Sequence, residues 1–114
     1  MLEDQPAAEG AVTEQAEQAV RIGIDLGGRG MPTREQVAAV RRLERAIEAA
    51  VALDETGELD GDEFGAGQVT LHLHGPDADR LLGSVEQLVR RFPAADRYAD
   101  LGYGDDEEER RVQL

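Results

Sequence analysis

Val20, Ile22, Ile24 and Leu26 alternate with Arg21, Gly23 and Asp25. A period of two predicts a strand with one buried face, and Gly27-Gly28-Arg29-Gly30 ends it. Thr33, with Gln36 three residues on, makes a capping-box start. Val37, Val40, Leu43, Ile47, Ala50 and Val51 then recur at spacings of three and four, which predicts an amphipathic helix to near Leu53. Glu58 to Phe64 predicts a short strand, and Gly65-Ala66-Gly67 a hairpin turn. Val69, Leu71 and Leu73 alternate with Gln68, Thr70, His72 and His74, a further strand that Gly75-Pro76 stops. Asp77 or Asp79 caps a second helix whose stripe is Leu81, Leu82, Val85, Leu88, Val89 and Phe92. Pro93 ends it. Ala99, Leu101 and Tyr103 predict another strand, and an acidic turn from Asp105 to Glu109 closes a hairpin onto Val112 and Leu114.

The order β-α-β-β-α-β is that of an α+β, ferredoxin-like split βαβ fold. Its antiparallel sheet carries two helices on one face, here with an extra C-terminal strand. The strands from Val20 and Val69 are expected as central neighbours. Residues 18–114 make a single domain. Residues 1–17 hold Glu3, Asp4, Glu9, Glu14 and Glu17 without a base, and read as an acidic, disordered tail. They lack the basic start and apolar stretch of a secretory signal, so a cytoplasmic location is expected.

Charge changes the picture more than length does. The 114 residues carry 12 basic and 25 acidic side chains, a formal net charge of −13. Every basic residue is Arg. This balance counts against nucleic-acid binding, which needs a basic footprint, and against anionic membranes. Without Cys there is no disulfide and no thiolate metal site. The missing Lys, with heavy Ala, Gly, Asp and Val, suggests a GC-rich coding genome of actinomycete type. The acids concentrate at both ends and in residues 46–79, which hold no base, while Arg34, Arg41, Arg42, Arg45, Arg80, Arg90, Arg91 and Arg97 lie on or beside the two helices.

Few positions offer chemistry. Gly23-Ile24-Asp25-Leu26-Gly27-Gly28 is similar to the phosphate-binding opening of sugar kinases and other actin-like ATPases. Arg29 stands where that family has a hydroxyl residue, however, and its two-lobed fold needs several times this length. A strand with a glycine exit is the expectation. Asp54, Glu55, Glu58, Asp60, Asp62 and Glu63 miss the EF-hand spacing, with Leu59 and Gly65 at its sixth and twelfth places. They read as an acidic edge that discourages edge-to-edge pairing and can bind protein. His72 and His74, two apart, project from the open face of the sheet beside Arg21 and Asp25. Those four form a candidate ligand-binding set, and the two imidazoles a candidate metal pair. Ser84 is the single serine, so nucleophilic catalysis has almost no candidate and no catalytic residue is assigned. No pattern calls for a cofactor.

Gly57-Glu58-Leu59-Asp60-Gly61-Asp62-Glu63-Phe64-Gly65, the strand after it, and Gly75-Pro76-Asp77-Ala78-Asp79 resemble a group of short, mostly uncharacterised bacterial proteins. The resemblance covers about residues 55–92. It implies the same hairpin and helix and no activity. The expected function is therefore binding: a small acidic protein of immunity or inhibitor type that covers a basic protein partner such as a toxin, steered by its charge. The alternative is a small-molecule or metal-binding domain, or a minor enzyme, that uses the open sheet face around His72 and His74; a third reading is a homodimer formed through that face.

Overall fold

The computed structural model describes residues 17–104 and 109–114. The expected acidic tail, except for Glu17, and residues 105–108 of the acidic turn lie outside the described residues. The elements run β1 (Gln18–Asp25), α1 (Arg34–Asp54), β2 (Glu58–Gly65), β3 (Gln68–Gly75), α2 (Ala78–Arg91), β4 (Asp96–Gly102) and β5 (Glu109–Gln113). One sheet holds the strands in the order β2-β3-β1-β4-β5. Every neighbouring pair is antiparallel. This is the ferredoxin-like split βαβ fold, with β5 added beyond β4.

Alternation along each strand becomes rows across the sheet. On the helix side, Leu59, Leu73, Val20 and Leu101 form one row, and Phe64, Val69, Ile24 and Arg97 another. Between them run Asp62, Leu71, Ile22, Ala99 and Val112. Val20, Ile22, Ile24, Val69, Leu71, Leu73, Ala99 and Leu101 are fully or almost fully buried. They meet Val40, Leu43, Ile47 and Val51 of α1 and Leu81, Leu82, Val85 and Val89 of α2. Removing this apolar surface from water is the main driving force for the fold.

Local signals set the helix ends. The Gln36 N–H donates to Thr33 Oγ1 (3.1 Å), and the Thr33 N–H to Gln36 Oε1 (2.9 Å), completing the capping box. At α2 the cap is Asp77, whose Oδ1 accepts from the Arg80 N–H at 3.1 Å. Asp79 instead accepts from the Tyr103 hydroxyl at 2.8 Å. Beyond α2, Arg97 donates to the Phe92 and Ala94 carbonyls, tying the strap that leads into β4. No helix among the described residues is long and apolar enough to cross a membrane.

The glycine exit of β1 is a backbone junction. The Leu26 N–H donates to the Gly67 carbonyl and the Gly67 N–H to the Gly30 carbonyl, both at 2.8 Å. The exit loop is thereby laced to the β2–β3 turn. A β-carbon on Gly67 would lie 2.3 Å from the Gly28 oxygen.

Candidate functional site

The helices leave one sheet face open, and its rows carry the polar chemistry. One row reads Gly61, His72, Arg21, Asp100 and Arg111; another reads Glu58, His74, Ala19, Gly102 and Glu109. A third is Glu63, Thr70, Gly23, Tyr98 and Gln113. Gly23 lies in this last row because Tyr98 lies flat across it: a β-carbon there would come within 2.4 Å of the ring. Arg111 stacks over that ring, 3.9 Å from its centroid.

A bulge decides which acids reach this face. The register shifts between Leu59 and Gly61, so Asp60 and Gly61 together oppose one residue of β3. Glu58, Asp60 and Glu63 thus join the open face. Asp62 is turned to the helix side, where Arg41 pairs with it and with Glu44. Asp54 ends α1, and Glu55 caps it in the left-handed conformation with φ at 57°. The six acids of residues 54–63 are therefore spread over a helix end, the open face and the helix side.

The two halves of the face differ in how their charge is met. On the β4–β5 side the carboxylates hold arginines. One Arg21 nitrogen donates to both Glu109 oxygens at 2.9 Å, and Arg111 donates to the two Asp100 oxygens at 2.7 and 2.9 Å. The Arg111 guanidinium holds the Asp100 carboxyl below its ordinary value. On the β2–β3 side the partners are imidazoles. His72 Nε2 lies 2.9 Å from Glu63, and His74 Nδ1 lies 2.7 Å from Asp60. His74 Nε2 stands 3.8 Å from both Glu17 and Glu58. The hydrogen bond to Asp60 raises the pKa of His74, burial opposes that shift, and the charges of Asp60, Glu17 and Glu58 reinforce it.

Arg21, Asp25, His72 and His74 all belong to the open-face rows, and Arg21 is the direct cross-strand neighbour of His72. They do not converge as one ligand set. Arg21 is taken by Glu109, and Asp25 accepts from the Gly27 N–H at 2.9 Å. The ligand atoms that converge are those of Glu58, Asp60 and His74, all within 4.8 Å of one another. Two carboxylate oxygens and one imidazole nitrogen suit zinc or a similar ion. His72 stands apart from that group, beside Glu63. A depression of about 280 Å³ beside His74 is open and is lined by Glu17, His74 and Glu109 among others.

The acid that sequence reasoning missed is Glu44. Its i,i+3 spacing to Arg41 reads as a surface pair, yet Glu44 is only 8% exposed. Burial, reinforced by neighbouring Asp62 and opposed by Arg41, raises its carboxyl to about 7. A raised carboxyl contributes stability that is complete below its unfolded value of 4.5 and is lost as pH rises through about 7. The raised His74 acts in the same direction above 6.5, whereas Asp100 contributes above 3.8 and loses that contribution in stronger acid. Thermal melts should therefore show stability falling between about pH 4.5 and pH 7. Glu44→Gln should flatten that fall. An unchanged slope in this variant would remove Glu44 as its source.

No family model matches the chain, and no curated protein matches it. Among solved structures, a chain from the crystal structure of a TiaS complex with tRNA, AMPCPP and agmatine aligns at 18% identity with a TM-score of 0.45. The alignment covers 75% of this chain and 23% of that one.

Proposed function

We propose that the protein acts by binding, using the β2–β3 half of its open sheet face to cover a basic protein in the manner of an immunity-type or inhibitor protein. The observation that carries this reading is the uneven neutralisation of that face. Glu109 and Asp100 hold arginines, while among the described residues Glu58, Asp60, Glu63 and Glu17 have two imidazoles as their cationic partners. Glu58 and Glu63 extend with side chains 78% and 76% exposed. Carboxylates placed this way steer a cationic partner and pair with its arginines or lysines on contact.

A second reading is favoured by the convergence of Glu58, Asp60 and His74 within 4.8 Å: a metal- or small-ligand-binding face. One experiment separates the two. The chain is immobilised, host lysate is passed over it with and without a chelator, and captured proteins are identified across a salt series. Docking predicts a basic protein whose affinity falls by about tenfold or more between 50 and 200 mM salt, because several ion pairs are screened together. Glu58→Lys/Glu63→Lys should abolish capture, and chelation should leave it intact. Capture that survives the charge reversal overturns the docking reading. Capture lost on chelation and in His74→Ala favours the metal.

A further inference from the structure

The two edges of the sheet are built differently. On β2, the bulge at Asp60–Gly61 and the acids Glu58, Asp60, Asp62 and Glu63 work against pairing with another strand. On β5, the register against β4 runs unbroken from Glu109 to Gln113, with no glycine, proline or bulge. β5 carries Arg110 and Arg111 against Glu109, so it is the less acidic edge of a chain of net charge −13. Neither helix packs on β5. Val112 and Leu114 touch the core from its rim and are only half-buried. The backbone of β5 also has a definite free side. The Leu114 N–H donates to the Arg97 carbonyl at 3.0 Å, so Arg110, Val112 and Leu114 direct their backbone groups toward β4. Glu109, Arg111 and Gln113 direct theirs outward, where no strand lies among the described residues.

We propose that this edge pairs with β5 of a second copy, antiparallel about a two-fold axis at Val112, joining two five-stranded sheets into one. Charge and register select that axis. Only an axis centred on a residue brings the outward backbone groups of both copies together. An axis at Glu109, Arg110 or Arg111 sets a charged side chain directly against its own copy, which is unfavourable. An axis at Gln113 leaves most of the strand unpaired. At Val112, Arg111 and Gln113 exchange backbone hydrogen bonds with Gln113 and Arg111 of the second copy. Val112 then meets Val112 of that copy on the helix side, which covers apolar surface that neither helix reaches. Such a two-fold runs perpendicular to the sheet, so both open faces lie on one side, with their β2–β3 halves at the outer ends. The dimer thereby presents the acidic docking face twice, toward a dimeric or repeated basic partner. That consequence rests on the docking reading; the dimer itself does not.

The test is sedimentation equilibrium of the purified full chain over a concentration series. One strand pair is a small interface, so the mass should rise with concentration from one chain toward two. Salt should tighten the association, because two chains of net charge −13 repel, whereas salt loosens capture of a basic partner. Gln113→Pro removes an outward N–H and leaves the backbone bonds to β4 in place, so it should hold the chain monomeric. Val112→Cys gives a second measurement that does not depend on that variant folding. The chain has no Cys of its own, and the new thiol would face its copy across a non-hydrogen-bonded pair, within disulfide reach. Mild oxidation should link Val112→Cys into a covalent dimer and leave Arg110→Cys unlinked, since the axis sets Arg110 opposite Leu114 of the second copy. The proposal is overturned by a mass of one chain at every concentration, by a dimer that survives Gln113→Pro, or by association that weakens with salt. Failure of Val112→Cys to link, or equal linking of Arg110→Cys, overturns it as well. Failure of the lysate capture alone bears on the docking reading and leaves the dimer standing.

Discussion

Gly67→Ala is expected to lower the unfolding free energy by about 3 kcal/mol. Gly67 sits at φ 70°, in the left-handed region where a β-carbon is unfavourable. That β-carbon would also meet the Gly28 carbonyl, 2.3 Å away. The obstacle is backbone, so no rotamer change relieves it. The loop must retreat, and the two 2.8 Å hydrogen bonds that lace Leu26, Gly67 and Gly30 together stretch with it. Conformational cost, steric displacement and weakened hydrogen bonds all act in one direction. A urea titration of both proteins, compared at the midpoint, reads the loss directly. Gly83→Ala is the matched control. Gly83 is exposed within α2, and a β-carbon there meets nothing within 4 Å. That change should stabilise by about 0.5–1 kcal/mol. A Gly67→Ala protein as stable as its parent would show that the exit loop is not held by the hairpin turn.

Ile22→Ala should cost still more, about 3–4 kcal/mol, within the range for large-to-small core substitutions. Ile22 is 0% exposed on the central strand, opposite Leu71 on one side and Ala99 on the other. Helices cover the row from above. The lost methyl and methylene groups leave a cavity that this layered packing cannot close. For a domain of this size the loss corresponds to a melting temperature lower by roughly 15 °C. Arg21→Ala, one residue earlier on the open face, removes an exposed ion pair with Glu109 and should cost less than about 1 kcal/mol. Equal losses at the two positions would contradict the assignment of one packed face and one open face.

Much of this architecture is legible in the chain because its signals are local. Alternation in β1 and β3 assigns their faces, Thr33 and Gln36 announce α1, and spacings of three and four give both helix stripes. The central pairing of β1 with β3 follows from the element order. The candidate site is less legible, because its contacts depend on register. Alternation alone would project Asp60 and Asp62 from the same face; the bulge separates them, and the only local sign of it is Gly61 inside a strand. Arg21 finds Glu109 across 88 positions of sequence. Gly23 reads as a bare point on the open face, and Tyr98, which covers it, comes from a strand whose register is set only on folding. Glu44 reads as helix surface through its i,i+3 pairing with Arg41, although it stands four residues after Val40 and three before Ile47, inside the apolar stripe of α1.

The place of β1 in the sheet also governs when the fold can form. It is the first strand of the described chain, yet it lies between β3 and β4, which follow much later. The β2–β3 hairpin closes over two residues and can form early. β1 must wait for long loops to close. During synthesis Val20, Ile22 and Ile24 therefore stay without partners until β3 has left the ribosome, and without the second neighbour until β4 has followed. A nascent chain halted before residue 68 has its future central strand but neither of the strands that will flank it.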